Sequence, residues 1–314
     1  MGTGFQTIYP NYNAFAALAQ NGSIHAWGGS SYDGSGAPTG TGFQTIYSTH
    51  RAFAALASDG SIQAWGDSSY GGSGAPSGTG FQAIYSTQRA FAALAQNGSI
   101  HAWGDSSYGG SGAPSGTGFQ AIYSNAHAFA ALASSGSIHA WGNPSYGGGA
   151  PSGIRFRAIY STHTAFAALR QDGSIHAWGN SENGGGSGAP SGTSFQAIYS
   201  NQAAFAALAP DGSIYAWGNP SYGGIGGWLP DTGFHAIYST SYSFAALAHN
   251  GSIYAWGPPV YGGSDWPSGT GFQAIYSTTS AFAALAHNGS IHAWGNSGHG
   301  GSDAPSGTGF QAIY

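Results

Sequence analysis

The strongest constraint on this 314-residue chain is a 15-residue stretch, A-F-A-A-L-A-Q-N-G-S-I-H-A-W-G from Ala14 to Gly28, that recurs eight times. Copies begin at Ala14, Ala52, Ala90, Ala128, Ala165, Ala204, Ser243 and Ala281, at steps of 37 to 39 residues. A unit of that size cannot bury its apolar faces alone, so the period reads as a stacked array. One repeat domain over residues 1–314 with no internal boundary is expected, its repeats centred on 14–28, 52–66, 90–104, 128–142, 165–179, 204–218, 243–257 and 281–295.

Each copy reads as a β-hairpin. Residues alternate in character along Ala14 to Ala19 and again along Ile24 to Trp27, and the dipeptide between them is Asn, Asp or Ser followed by Gly. The turn glycines are Gly22, Gly60, Gly98, Gly136, Gly173, Gly212, Gly251 and Gly289. Asn-Gly and Asp-Gly favour a type I′ turn, whose twist suits two antiparallel strands. A third strand precedes each hairpin, as in Phe5-Gln6-Thr7-Ile8-Tyr9, and nine such segments occur, the last from Phe310. Their Phe, Ile and Tyr fall at i, i+3 and i+4, which in a β-branched and aromatic segment predicts an irregular strand or a bulge.

These strands are apolar on both faces, so neighbouring repeats must cover both sides. Trp27, Trp65, Trp103, Trp141, Trp178, Trp217, Trp256 and Trp294 are expected to fill the gaps between repeats. Blades of a propeller and an open, fibre-forming solenoid both satisfy this requirement. The predicted class is all-β, a propeller-like array of about eight blades, with the open array as the alternative.

The repeat, with a strand ending in small and aliphatic residues, then D-G-S-I, A-W-G and D-S-S-Y-G-G, resembles that of the regulator of chromosome condensation family. The degenerate bacterial and protist tandem repeats of that superfamily are more similar still. The resemblance covers nearly all of residues 14–303 and implies a β-propeller, usually of seven blades, acting as a nucleotide-exchange factor or a protein-binding scaffold. This chain has a shorter period, eight repeats and no charged surface loops, so the fold carries over and the exchange activity does not. A weaker similarity exists to sugar-binding lectin propellers with Trp-Gly repeats.

Composition narrows the partners. Charged residues make up 5 % of the chain, five arginines without a lysine against ten acids, for a net charge of −5. Without a basic stripe the chain cannot neutralise many phosphates, which disfavours nucleic acid and an anionic membrane surface. No run approaches the ~20 apolar residues of a membrane helix. No basic and apolar leader follows Met1. Cysteine is absent, and the compartment stays unknown, with an extracellular or cell-surface placement favoured.

Catalytic chemistry finds little support. His25, His101, His139, His176 and His292 share one register with Gln63, Tyr215 and Tyr254, a substitution pattern that a metal site would not tolerate. A half-buried polar strand position is expected there, the alternative being a ring of imidazoles and phenols along a groove. Glu182 is isolated, and the aspartates fall mostly in turns. No catalytic residue, metal or cofactor is assigned. The Asn-x-Ser sequons at Asn21, Asn97, Asn250 and Asn288 lie in the predicted turns, which accounts for them without glycosylation.

What repeats is the means to bind. Each loop carries one aromatic anchor at a fixed place, and the loops depart from uniformity at Glu182-Asn183, 225–230, Pro258-Pro259-Val260 and Asp265-Trp266-Pro267. Irregularity in a uniform array marks where specificity is expected. The candidate binding residues are Tyr32, Tyr70, Tyr108, Tyr146, Tyr222, Trp228, Tyr261 and Trp266. A non-enzymatic scaffold with multivalent sites for carbohydrate or protein is the reading these residues favour. The alternative is an end-to-end structural filament or surface layer, suggested by the low charge and by the near-identical segments 2–9 and 307–314.

Overall fold

The computed structural model describes residues 4–29, 36–186 and 188–313. The fold is all-β, a tandem array of eight antiparallel, blade-like sheets interspersed with single turns of 3-10 helix. The chain forms two compact units, 1–156 and 157–314. The first unit holds the sheets spanning 5–28, 43–66, 81–104 and 119–142. The second holds those spanning 197–228, 234–256 and 272–295, and nearly all of the sheet at 156–179.

The first sheet shows the common plan. Strands β1 (Phe5–Pro10), β2 (Ala14–Ala19) and β3 (Ile24–Gly28) pair in sequence order, with Phe15 opposite Trp27 and Leu18 opposite Ile24. The expected bulge in the first strand is present, because the register shifts between Phe5 and Thr7 and again between Phe43 and Thr45. The extra residue rotates the strand, so that Phe43 and Ile46, three apart, are both buried.

The hairpin turn differs from the expected type I′. Neither Gln20 nor Asn21 has positive φ; Gly22 N–H donates to Ala19 C=O at 2.9 Å, and Gly22 alone enters the left-handed region at φ +78°. This is the three-residue loop with a glycine bulge. Its physical cause is the Asn21 side chain, whose Oδ1 accepts the Ser23 N–H at 3.0 Å and holds the asparagine right-handed. The same bond recurs at Asn97, Asn250 and Asn288, so the sequon residues have a structural role. Glycine is required for a second reason, since a Cβ on Gly98 would stand 2.6 Å from Gly118 N.

Within each unit the sheets stack large residues on small ones. The stacked pair Phe53–Trp65, centroids 5.2 Å apart, lies with Phe43 and Ile46 against Ala14, Ala16 and Leu18 of the preceding sheet. Phe91 and Trp103 meet Ala52, Ala54 and Leu56 in the same way. In the second unit, Phe244 and Trp256 meet Ala204, Ala206 and Leu208. Alanine is what lets two sheets approach closely enough for a flat ring pair to fill the space. Trp103, Trp141, Trp217, Trp256 and Trp294 also donate Nε1 to a loop glycine of the preceding repeat, as Trp103 does to Gly71 C=O at 3.0 Å.

A second tie is carried by the backbone alone. In the first unit Tyr12, His50 and Gln88 N–H groups donate in turn to His50, Gln88 and Ala126 C=O. His163, Gln202 and Ser241 donate likewise to Gln202, Ser241 and Thr279 in the second.

Trp65, Trp103, Trp141, Trp178, Trp217, Trp256 and Trp294 are buried. Trp27 stands 45 % exposed. Trp103→Ala should therefore lower stability by ~3–5 kcal/mol in urea unfolding, and Trp27→Ala by less than a third of that. Gly98→Ala, which meets both the positive φ and the near backbone, should cost more than ~1 kcal/mol in the same measurement.

Candidate binding recesses at the hairpin ends

The ends of each sheet differ in character. At the end that joins the first and second strands, the loop aromatic is clamped. Thr49 Oγ1 donates to Tyr70 C=O at 2.9 Å, Thr87 to Tyr108 at 3.0 Å, and Asn125 Nδ2 to Tyr146 at 2.6 Å. The 3-10 turn before each of these tyrosines is capped by Asp67, Asp105 or Asn143, and ends on a left-handed glycine. The rings then form a column in the first unit. Arg51 and Arg89 lie 5.0 and 4.9 Å from the Tyr70 centroid, Arg89 lies 4.9 Å from Tyr108, and His127 stacks between Tyr108 and Tyr146 at 4.9 and 4.5 Å. In the second unit Tyr242 stands between Tyr222 and Tyr261 at 5.2 and 4.2 Å. Tyr70 is buried, and Tyr108, Tyr146, Tyr222 and Tyr261 are half-buried in these stacks; Tyr32 lies outside the described residues.

The hairpin ends carry recesses instead. Similar hollows open at the first sheet, ≈ 310 Å³ beside His25 and Gln20, and at the second, ≈ 250 Å³ beside Gln63 and Asp59. Both are framed by the Phe that opens the first strand, the hairpin turn, and the residue after Ile in the third strand. That last position is the His, Gln and Tyr register of the sequence. The structure corrects the half-buried expectation for its polar members, since His25, Gln63, His101, His139, His176 and His292 are exposed and only Tyr215 and Tyr254 are partly covered. Four of the imidazoles sit edge-on to a phenylalanine, as His101 does to Phe81 at 5.4 Å. No group of three or more metal-ligating side chains occurs among the described residues.

At the seventh sheet the recess is enlarged to ≈ 760 Å³. Its walls are Tyr254 and Trp266 on one side, 5.0 Å between centroids, with His249, Asn250, Ser252 and the Asp231-Thr232 segment around them. Trp266 stands where other loops have the alanine of an Ala-Pro pair, such as Ala75 or Ala113. Those alanines pack against the sheet, and the longer indole reaches the recess from the same anchor point. Asp265 before it takes φ +60°, and its carboxylate accepts the Ser264 hydroxyl at 2.8 Å.

The sixth sheet uses its tryptophan differently. Gly227–Trp228 forms a fourth strand, with Trp228 opposite Tyr215 and its ring stacked 5.9 Å from Phe195. Leu229 fills the alanine position, and Trp228 remains 53 % exposed. Of the candidates named from sequence, Trp266 alone lines the large recess, Trp228 caps a neighbouring sheet, and the described tyrosines stand in the columns. Sequence reasoning did not select Tyr254, His249 and Asn250 as recess residues, although two aromatics replacing His and Ala within one repeat were a visible signal.

No family model matches the chain, and no curated protein matches it. Similar solved structures include the ectodomain of the Physcomitrella patens receptor kinase CR4, at 19 % identity over 80 % of this chain and 71 % of that one, TM-score 0.46. The computationally designed Ika8 protein is 14 % identical over 93 % of this chain and 96 % of that one, TM-score 0.40. Yeast RCC1 (Prp20), solved bound to Kap60, is 16 % identical over 81 % and 70 %, TM-score 0.40, and represents the family whose repeat the sequence resembles.

Beside the large recess, His235 and His249 stack at 4.7 Å. Burial, and then the charge of His249, hold the His235 imidazole below its ordinary value of 6.5. The folded state thus favours the neutral ring, so this stability is present above pH 6.5 and is lost as pH falls through the folded value. A proton NMR titration should place His235 below its value in the denatured chain, and His249→Gln should move it part of the way back up.

Proposed function

We propose that the chain is a non-enzymatic scaffold that binds carbohydrate in its hairpin-end recesses, with the seventh-sheet recess as the principal site. The observation that carries this reading is the meeting of two half-buried aromatic faces, Tyr254 and Trp266, with amide, imidazole and hydroxyl groups around one open hollow. Sugar rings present apolar C–H faces and equatorial hydroxyls, which such a mixed surface satisfies. Asp59 shows how a smaller recess contributes an acceptor. Bonds from the Ser61 side chain and then its backbone N–H hold this carboxyl below the ordinary carboxylate range.

Similar hollows at the first and second sheets suit weak, repeated contacts with a polymeric glycan. Polysaccharide and oligosaccharide panels, titrated calorimetrically, provide the test. Trp266→Ala should reduce affinity at least ~10-fold, in line with losing an aromatic anchor worth ~1.4 kcal/mol or more, and leave the far-UV spectrum unchanged. Binding unaffected by Trp266→Ala, or a panel without a ligand, overturns the reading; capture of a peptide by the same recess would move it to the protein-binding class.

A further inference from the structure

We propose that Trp228 extends the seventh-sheet recess into one site across the sixth and seventh sheets, selective for a glycan chain over a single sugar. This rests on the carbohydrate reading above and adds to it a second subsite and a chain-length preference. The two sheets are already coupled in sequence. Eight of the ten tryptophans belong to the hairpin repeats, and the other two are Trp228 and Trp266. These follow the only two hairpins in which the His and Gln register holds a tyrosine, Tyr215 and Tyr254. Each tryptophan meets the tyrosine of its own repeat, with centroids 5.3 Å apart for Tyr215–Trp228 and 5.0 Å for Tyr254–Trp266. The replacements thus come as pairs, on consecutive repeats of one compact unit.

Packing alone is a poor account of Trp228, which stays 53 % exposed. Its position is nonetheless fixed. The two-residue strand that carries it pairs Gly227 with Ala216 and Trp228 with Tyr215, and the Leu229 N–H that follows donates to Ile214 C=O at 2.9 Å. Phe195 stacks on the indole at an interplanar angle of 15°. An aromatic surface already held in place loses little conformational entropy when a ligand covers it, which makes an exposed indole an effective anchor.

Chain continuity sets this anchor beside the recess. Leu229 is buried in the core shared by the sixth and seventh sheets, and Asp231, three residues after Trp228, stands in the recess wall. Three residues span at most about 11 Å. Gly233 and Phe234 N–H groups donate to Asp211 and Gly212 C=O at 3.1 and 3.2 Å, which ties that wall to the sixth hairpin turn. A glycan seated against Tyr254 and Trp266 therefore needs only a short extension to cover Trp228, whereas a single sugar in the recess leaves it bare.

Calorimetric titration of the full chain with mono- to hexasaccharides of the cellulose, xylan, mannan and chitin series tests this. In a series that binds, wild-type affinity should climb at least ~10-fold from the shortest ligand to the hexasaccharide. Trp228→Ala should remove that climb and leave short-chain affinity within about twofold of wild type, while Trp228→Phe, which keeps a ring on Phe195, should retain most of it. Trp266→Ala should weaken every length. Melting curves check that each variant folds, and a merely structural role for Trp228 would weaken all lengths alike. Equal loss at every length, or a hexasaccharide no tighter than a disaccharide, overturns the extended site and leaves the recess itself standing. Silence across all four series also overturns it, and the carbohydrate reading falls with it only where the wider panel is silent too.

Discussion

The structure depends on one contact repeated along the chain, a stacked Phe–Trp pair pressed onto the alanine face of the sheet before it. An isolated sheet of this kind would leave both apolar faces in water. Burial at ~25 cal/mol per Å² of apolar surface becomes available only when a neighbour docks. The fit is steric as well as apolar. Alanine at Ala52 and Ala54 leaves room for the rings of the next sheet, and a glycine in the adjoining loop lets the indole reach a carbonyl.

Much of this was legible in the sequence. The hairpins, the strand order, the bulge and the burial of seven tryptophans follow from period, alternation and the Asn-Gly or Asp-Gly signals. The bulge was visible because Phe43 and Ile46 cannot share a face of a regular strand at a separation of three. What stayed hidden depended on choices between near-equal local states. Asn21 suits a type I′ turn on backbone preference, but its side-chain bond to Ser23 selects the other loop. Trp27 carries the same local sequence as Trp103, and nothing local records whether a sheet stands against it.

The candidate site was legible in part. Asp265-Trp266-Pro267 is one of the departures from uniformity that the sequence shows, and Trp266 lines the large recess. The loop tyrosines were harder to place. Their constant spacing is compatible with a row of ligand sites, yet their carbonyls are held by Thr49, Thr87 and Asn125, and their rings meet the arginine, histidine or tyrosine of the adjoining turns. Those turn residues lie on different repeats, so no window on a single repeat reveals the columns.

The backbone ladder at Tyr12, His50, Gln88 and Ala126 joins repeats through main-chain hydrogen bonds. The bonds themselves do not depend on side-chain identity at that position, and Tyr, His, Gln, Ala, Ser and Thr all occur there, with Tyr12 and His50 adding a ring contact at 4.7 Å. A lineage that grows by duplicating its units would keep the junction intact while this column drifts, accumulating chemical variety at no cost to the stack.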